Sequence, residues 1–179
     1  MRLNILVASA ICCVVTAASA QRATIDPGEV VDITGEPVEG TGAIIIRTDH
    51  GISFIVMTSD LTPGDAFSVW VVIVEPEVDD EFDLFVFNIA GGIANANGDL
   101  NFGAHVSTGT IPEANGLDIF IGGGEFDHPR DAAIHLVIRT HGPVIPGMQM
   151  VQFGTLDGGC NAGEPNEGLC ECVQRVFYP

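Results

Sequence analysis

The chain has 179 residues, of which 24 are acidic and 6 basic, for a formal net charge of −18. Such a surface argues against nucleic acid or an anionic membrane as partner, because both are held through Lys and Arg contacts. All the basic residues are arginines, with one Trp and one Tyr in the chain. That composition argues against Schiff-base chemistry on a lysine and against an aromatic sugar platform, and leaves solubility or the attraction of cations as roles for the charge.

The first residues read as a secretory signal. Arg2 precedes an apolar run from Ile5 to Ala18, and Ala18-Ser19-Ala20 has the small-x-small form of a signal-peptidase site. The run is shorter than the roughly 20 residues of a membrane span, and Cys12 and Cys13 are not preceded by a lipobox. The expectation is a signal peptide at 1–20, cleavage before Gln21, export to the periplasm or outside, and no membrane span. Residues 21–179 then have the length of a single domain.

Short β-branched and aromatic runs follow, separated by Gly, Pro, Asn and Asp. Strands are expected near 29–34, 42–49, 51–57, 66–74, 82–88, 100–107, 117–121, 133–140, 148–154 and 171–177. This spacing predicts an all-β fold, an antiparallel β-sandwich of Ig-like or jelly-roll-like type with about 9–10 strands and almost no helix. Residues 66–74 are apolar on both parities, which marks a central strand and places Trp70 in packing rather than at a ligand. Thr62-Pro63-Gly64-Asp65 suits a type II turn, and Asn97-Gly98 a tight hairpin. In 100–107, Phe102, Ala104 and Val106 share one face, and Asn101, Gly103 and His105 the other.

Calcium has three candidate clusters. These are Asp79-Asp80-Glu81 with Asp83; Asn95, Asn97, Asp99 and Asn101; and Glu125, Asp127 and Asp131. The second has alternate oxygen donors and a glycine at its bend, but no bidentate Glu.

Along 133–141, His135, Val137, Arg139 and His141 alternate onto one face. Three imidazoles with an open position suit zinc or copper, so His105, His135 and His141 form a candidate metal set. His135 and His141 are six residues apart, about 20 Å along a straight strand. One ion reaches both only if the chain bends before Gly142-Pro143. The structural alternative has His135 bonded to a neighbouring strand, Arg139 paired with Asp127 or Asp131, and His141 capping the turn.

The stretches Gly64-Asp65-Ala66-Phe67-Ser68-Val69-Trp70, Asn101 to His105, Asp127 to Pro143, Gly158-Gly159-Cys160 and Cys170 to Gln174 together resemble a family of secreted bacterial β-rich proteins with no established activity. The similarity covers most of residues 21–179 and is most specific from Ile134 to Pro143. It implies an exported β-rich domain and a pairing of the two cysteine regions. The chain departs from that pattern at Cys172 and in Phe177-Tyr178-Pro179.

Beyond the signal there are three cysteines, Cys160, Cys170 and Cys172. In an oxidising compartment a disulfide is expected. Cys160 with Cys170 closes a loop of about 11 residues, worth about 2–3 kcal/mol in lost chain entropy, with Cys172 as the alternative partner. The leftover thiol is inert, bridges two copies of the chain, or ligates a metal. There is no nucleophile elbow, His-Glu-x-x-His, P-loop or dinucleotide fingerprint. The leading expectation is therefore a non-enzymatic extracellular or periplasmic binding or structural module. The alternatives are a His-based transition-metal domain and a calcium-stabilised matrix or adhesion component.

Overall fold

Period-two burial builds two facing layers. In β3 (Gly42–Thr48) Ala43, Ile45 and Arg47 are buried, and in β4 (Gly51–Thr58) Ile52, Phe54, Val56 and Thr58 are buried, with the positions between them half-buried or exposed. The structure, a computed structural model, describes residues 23–76, 84–111, 119–121 and 125–179. The expected signal peptide and the 79–83 acidic cluster lie outside these residues.

One sheet has the order β1 (Thr24–Gly28), β3, β4, β7 (Leu100–Ser107). The other has the order β2 (Val31–Asp32), β10 (Glu171–Tyr178), β9 (Ala133–Pro143), β5 (Asp65–Val74), β6 (Leu84–Ile93), β8 (Ile119–Ile121). Every described strand pair is antiparallel. The fold is thus an all-β sandwich. Ile45, Ile52, Phe54 and Val106 of the first sheet face Val71, Phe85, Leu136 and Ile138 of the second in one core. Burying each such side chain contributes about 1.5–3 kcal/mol.

Four elements differ from the sequence reading. The 148–154 segment forms a helix, α1 (Gln149–Gly154), not a strand. It lies on the outer face of the second sheet, where Gly91 leaves room for Phe153. A Cβ on Gly91 would stand 2.4 Å from that of Phe153. The expected strand at 29–34 shrinks to β2 because Asp32 Oδ1 accepts from the amides of Thr34 (2.7 Å) and Glu36 (3.0 Å), which turns the chain. Ahead of it, β1 forms at a sheet edge, where Pro27 is tolerated. Asn97-Gly98 does not join a hairpin, since β6 and β7 belong to different sheets. It makes a corner between the layers, tied down by Leu61 N donating to Gly98 O at 3.1 Å.

Candidate functional site

The three candidate metal histidines occupy three separate environments. His105 is exposed on the outer face of the first sheet, its Nδ1 2.9 Å from Ser53 Oγ. His135 lies on the outer face of the second sheet, packed edge-on against Phe177 at 4.4 Å between ring centroids. Burial lowers its pKa. The sandwich core separates these two faces, so the structure does not bring His105 to His135. Arg139 pairs with Asp157 Oδ1 at 3.0 Å and donates to Leu156 O at 2.7 Å, rather than meeting Asp127 or Asp131.

His141 is fully buried, just before a bend at Gly142, whose φ is +67°. Its Nε2 is 2.7 Å from Ser68 Oγ and its Nδ1 is 3.2 Å from Gly158 O. A carbonyl only accepts, so Nδ1 carries the proton and Nε2 accepts from the Ser68 hydroxyl. Ser68 Oγ in turn accepts from Trp70 Nε1 at 2.9 Å. Burial, with Arg139 acting in the same sense, pushes the His141 pKa down to about 4, so the ring is neutral at physiological pH. A serine bonded to a neutral imidazole is the pairing that activates nucleophiles. Here both side chains are 0 % exposed, and Trp70 occupies the hydroxyl. The arrangement does the work of a packed polar network.

Beside it Cys160 and Cys170 form a disulfide, with Cys170 Sγ 3.1 Å from His141 Nδ1. Among the described residues, the ligand atoms of His141, Cys160 and Cys170 all lie within 4.8 Å of one another. Metals bind thiolate, and these two sulfurs are bonded to each other, so the group closes as a covalent corner. Cys172 is free and exposed, 4.0 Å from Arg139 Nη1. It borders an apolar recess with Trp70, Val137 and Leu156.

Of the 95–101 oxygen donors, those of Asn95 and Asp99 are engaged within their own loop. Asn95 Oδ1 accepts from the amides of Asn97 (2.8 Å) and Asp99 (3.0 Å), and Asn95 Nδ2 donates to Asp99 Oδ2 at 3.3 Å. Asn101 stands apart on the exposed face of β7. Near the third cluster, the amides of Asp127 and His128 both donate to Glu75 Oε1, at 2.8 and 2.6 Å.

A cleft that the sequence did not announce opens at one end of the sandwich. Antiparallel order puts the start of β5, the end of β9 and the start of β10 at the same end. The β4–β5 loop and the turn after β2 close over them. The space is about 290 Å³. Leu61, Phe67 and Val173 give it apolar walls, and Asp32, Asp60, Asp65 and Glu171 line it with carboxylates. An adjoining recess adds Glu39. Among the described residues, no basic side chain lines either space. Burial raises the Asp65 pKa, whereas the hydrogen bond from Thr34 leads the effects that lower that of Asp32. Gln174, 4 % exposed, also borders the cleft. Its Nε2 donates to Ser59 O at 2.6 Å, tying β10 to the β4–β5 loop, while its Oε1 is buried without a partner.

These carboxylates come from positions 32, 60, 65 and 171, so no local motif could have signalled them. Compared with known proteins, the chain matches no family model, no curated protein and no solved structure.

Proposed function

We propose that this is an exported, non-enzymatic binding module that works through the cleft at the end of its sandwich. The observation that carries the reading is an apolar-walled space ringed by carboxylates, with no basic side chain among the described residues that line it. Ligand sites have this form, with apolar walls and a few convergent polar groups. The buried Ser68–His141 pair, the most enzyme-like feature described, has no surface to offer a substrate. The export signal, the disulfide and the resemblance to secreted β-rich proteins support an extracytoplasmic setting.

Residues 21–179, prepared with the disulfide formed, can be tested against immobilised peptides of equal length that are basic, neutral or acidic. Selective capture of the basic peptide, weakening steeply as salt shortens the screening length, supports the proposal. An equal response to all three, or none to the basic one, defeats it.

A further inference from the structure

Resting on that reading, we infer that the cleft takes an alkylammonium or alkylguanidinium group, the chemistry of a lysine or arginine side chain or of a free diamine. The cationic head sits among Asp60, Asp65 and Glu171 and donates an N–H to Gln174 Oε1, while its methylenes lie on Leu61 and Phe67.

A carboxylate accepts and does not donate. One N–H of the Gln174 amide is already engaged by Ser59 O, and its Oε1 is left as a buried acceptor without a partner. Among side chains lining the cleft, only the second N–H of Gln174 and the Thr62 and Thr140 hydroxyls add donor capacity, against four carboxylates. A buried acceptor with no donor is costly, and an N–H from a ligand removes that cost. The ligand must therefore donate, and the uncompensated carboxylates require it to be positive. Burial already raises the pKa of Asp65, and an adjacent cation offsets that penalty on its charged form.

The same geometry disfavours a metal ion. Ca²⁺ needs six to eight oxygens at about 2.3–2.6 Å. Among the described residues, no three of the cleft carboxylates bring their oxygens within 4.8 Å of one another. Acceptors spread this widely suit a head with several N–H groups in different directions. The apolar wall suits the stem of a basic side chain, which buries its methylenes while its head stays polar.

The test is an NMR titration of ¹⁵N-labelled residues 21–179 with four probes: N-acetyl-lysine methylamide, N-acetyl-arginine methylamide, 1,5-diaminopentane and tetramethylammonium. The first three should shift the amides of 60–65 and 171–174. Tetramethylammonium, a cation with no N–H, should bind at least tenfold more weakly. Asp60→Asn and Asp65→Asn should each weaken the N–H cations several-fold while leaving the melting midpoint close to that of the parent. Tighter binding of the amino-acid amides supports the site with a protein side chain as its ligand, and tighter binding of the diamine supports it with a free polyamine. Equal binding of tetramethylammonium, or affinities unchanged in the Asp60→Asn, Asp65→Asn double variant, overturns the inference. If no probe binds but basic peptides are still captured, this inference falls and the binding-module reading stands. If neither binds, both fall.

Discussion

Ser68 and His141 meet at 2.7 Å across neighbouring strands, 73 positions apart in the chain, with no solvent access to either. Their hydrogen bond fixes the imidazole so that its other nitrogen faces Gly158 O and the sulfur of Cys170. The network thereby ties β5 to β9 and to the disulfide loop.

Ser68→Ala deletes the donor to His141 and the acceptor of Trp70 together. Each orphaned buried group costs about 1–3 kcal/mol. The expected loss in urea denaturation is about 2–4 kcal/mol, with no change in the capture of basic peptides. A loss below about 0.5 kcal/mol, the range of ordinary surface substitutions, would show that the network does not contribute.

The same histidine sets a pH dependence. Its folded pKa, about 4, lies below the ordinary imidazole value of 6.5. A group with a depressed folded value binds more protons when unfolded. Its contribution is therefore present above pH 6.5 and is lost as pH falls toward 4. At about 1.4 kcal/mol per pKa unit the full effect is about 3 kcal/mol. His135 shifts in the same direction. Asp65 shifts upward and works in the opposite sense within the carboxylate range, so the histidine contribution is best read between pH 6.5 and 5. His141→Gln should flatten the stability profile there, and a profile as steep as the parent's would assign the slope to other groups.

The sequence revealed the layers better than the site. Residues 66–74 are apolar on both parities, and that alone marks the strand that β9 and β6 flank. Cys160 and Cys170 were legible from their spacing and from the expected oxidising compartment. The 148–154 segment was not, because its local pattern suits a strand as well as a helix. What fixes the helix lies elsewhere in the chain, in Gly91 and in Asn88 Nδ2 donating to Phe153 O at 2.9 Å. His141 stood out as a polar residue in an apolar strand, but its partners at 68 and 158 are defined only by strand register and a folded loop. The cleft is the extreme case, since its carboxylates acquire meaning only when strand ends converge.

Gly91 and Gly154 make a matched pair for the seat of α1. A methyl on Gly91 would lie 2.6 Å from the Phe153 Cα and carbonyl oxygen, with no flexible side-chain end to move aside. Gly91→Ala should cost about 1–3 kcal/mol as an overpacking change. Gly154 has nothing within 4 Å and no positive φ, so Gly154→Ala should be neutral or gain up to about 1 kcal/mol by restricting the unfolded chain. Thermal melts of the two variants check this, and similar midpoints would mean that α1 is not held against β6.

The cysteines give the last prediction. Cys172 is exposed, whereas Cys160 and Cys170 are bonded to each other. Native residues 21–179 should therefore react with a thiol reagent at one equivalent, abolished by Cys172→Ser with no loss of stability. Replacing Cys160 and Cys170 together by Ala should cost about 2–3 kcal/mol and loosen the loop over His141. Zinc or copper should be absent from the oxidised protein, because neither bonded sulfur offers a thiolate. Stoichiometric metal lost on His141→Gln would mean that the corner is a metal site and that the disulfide is not its native state.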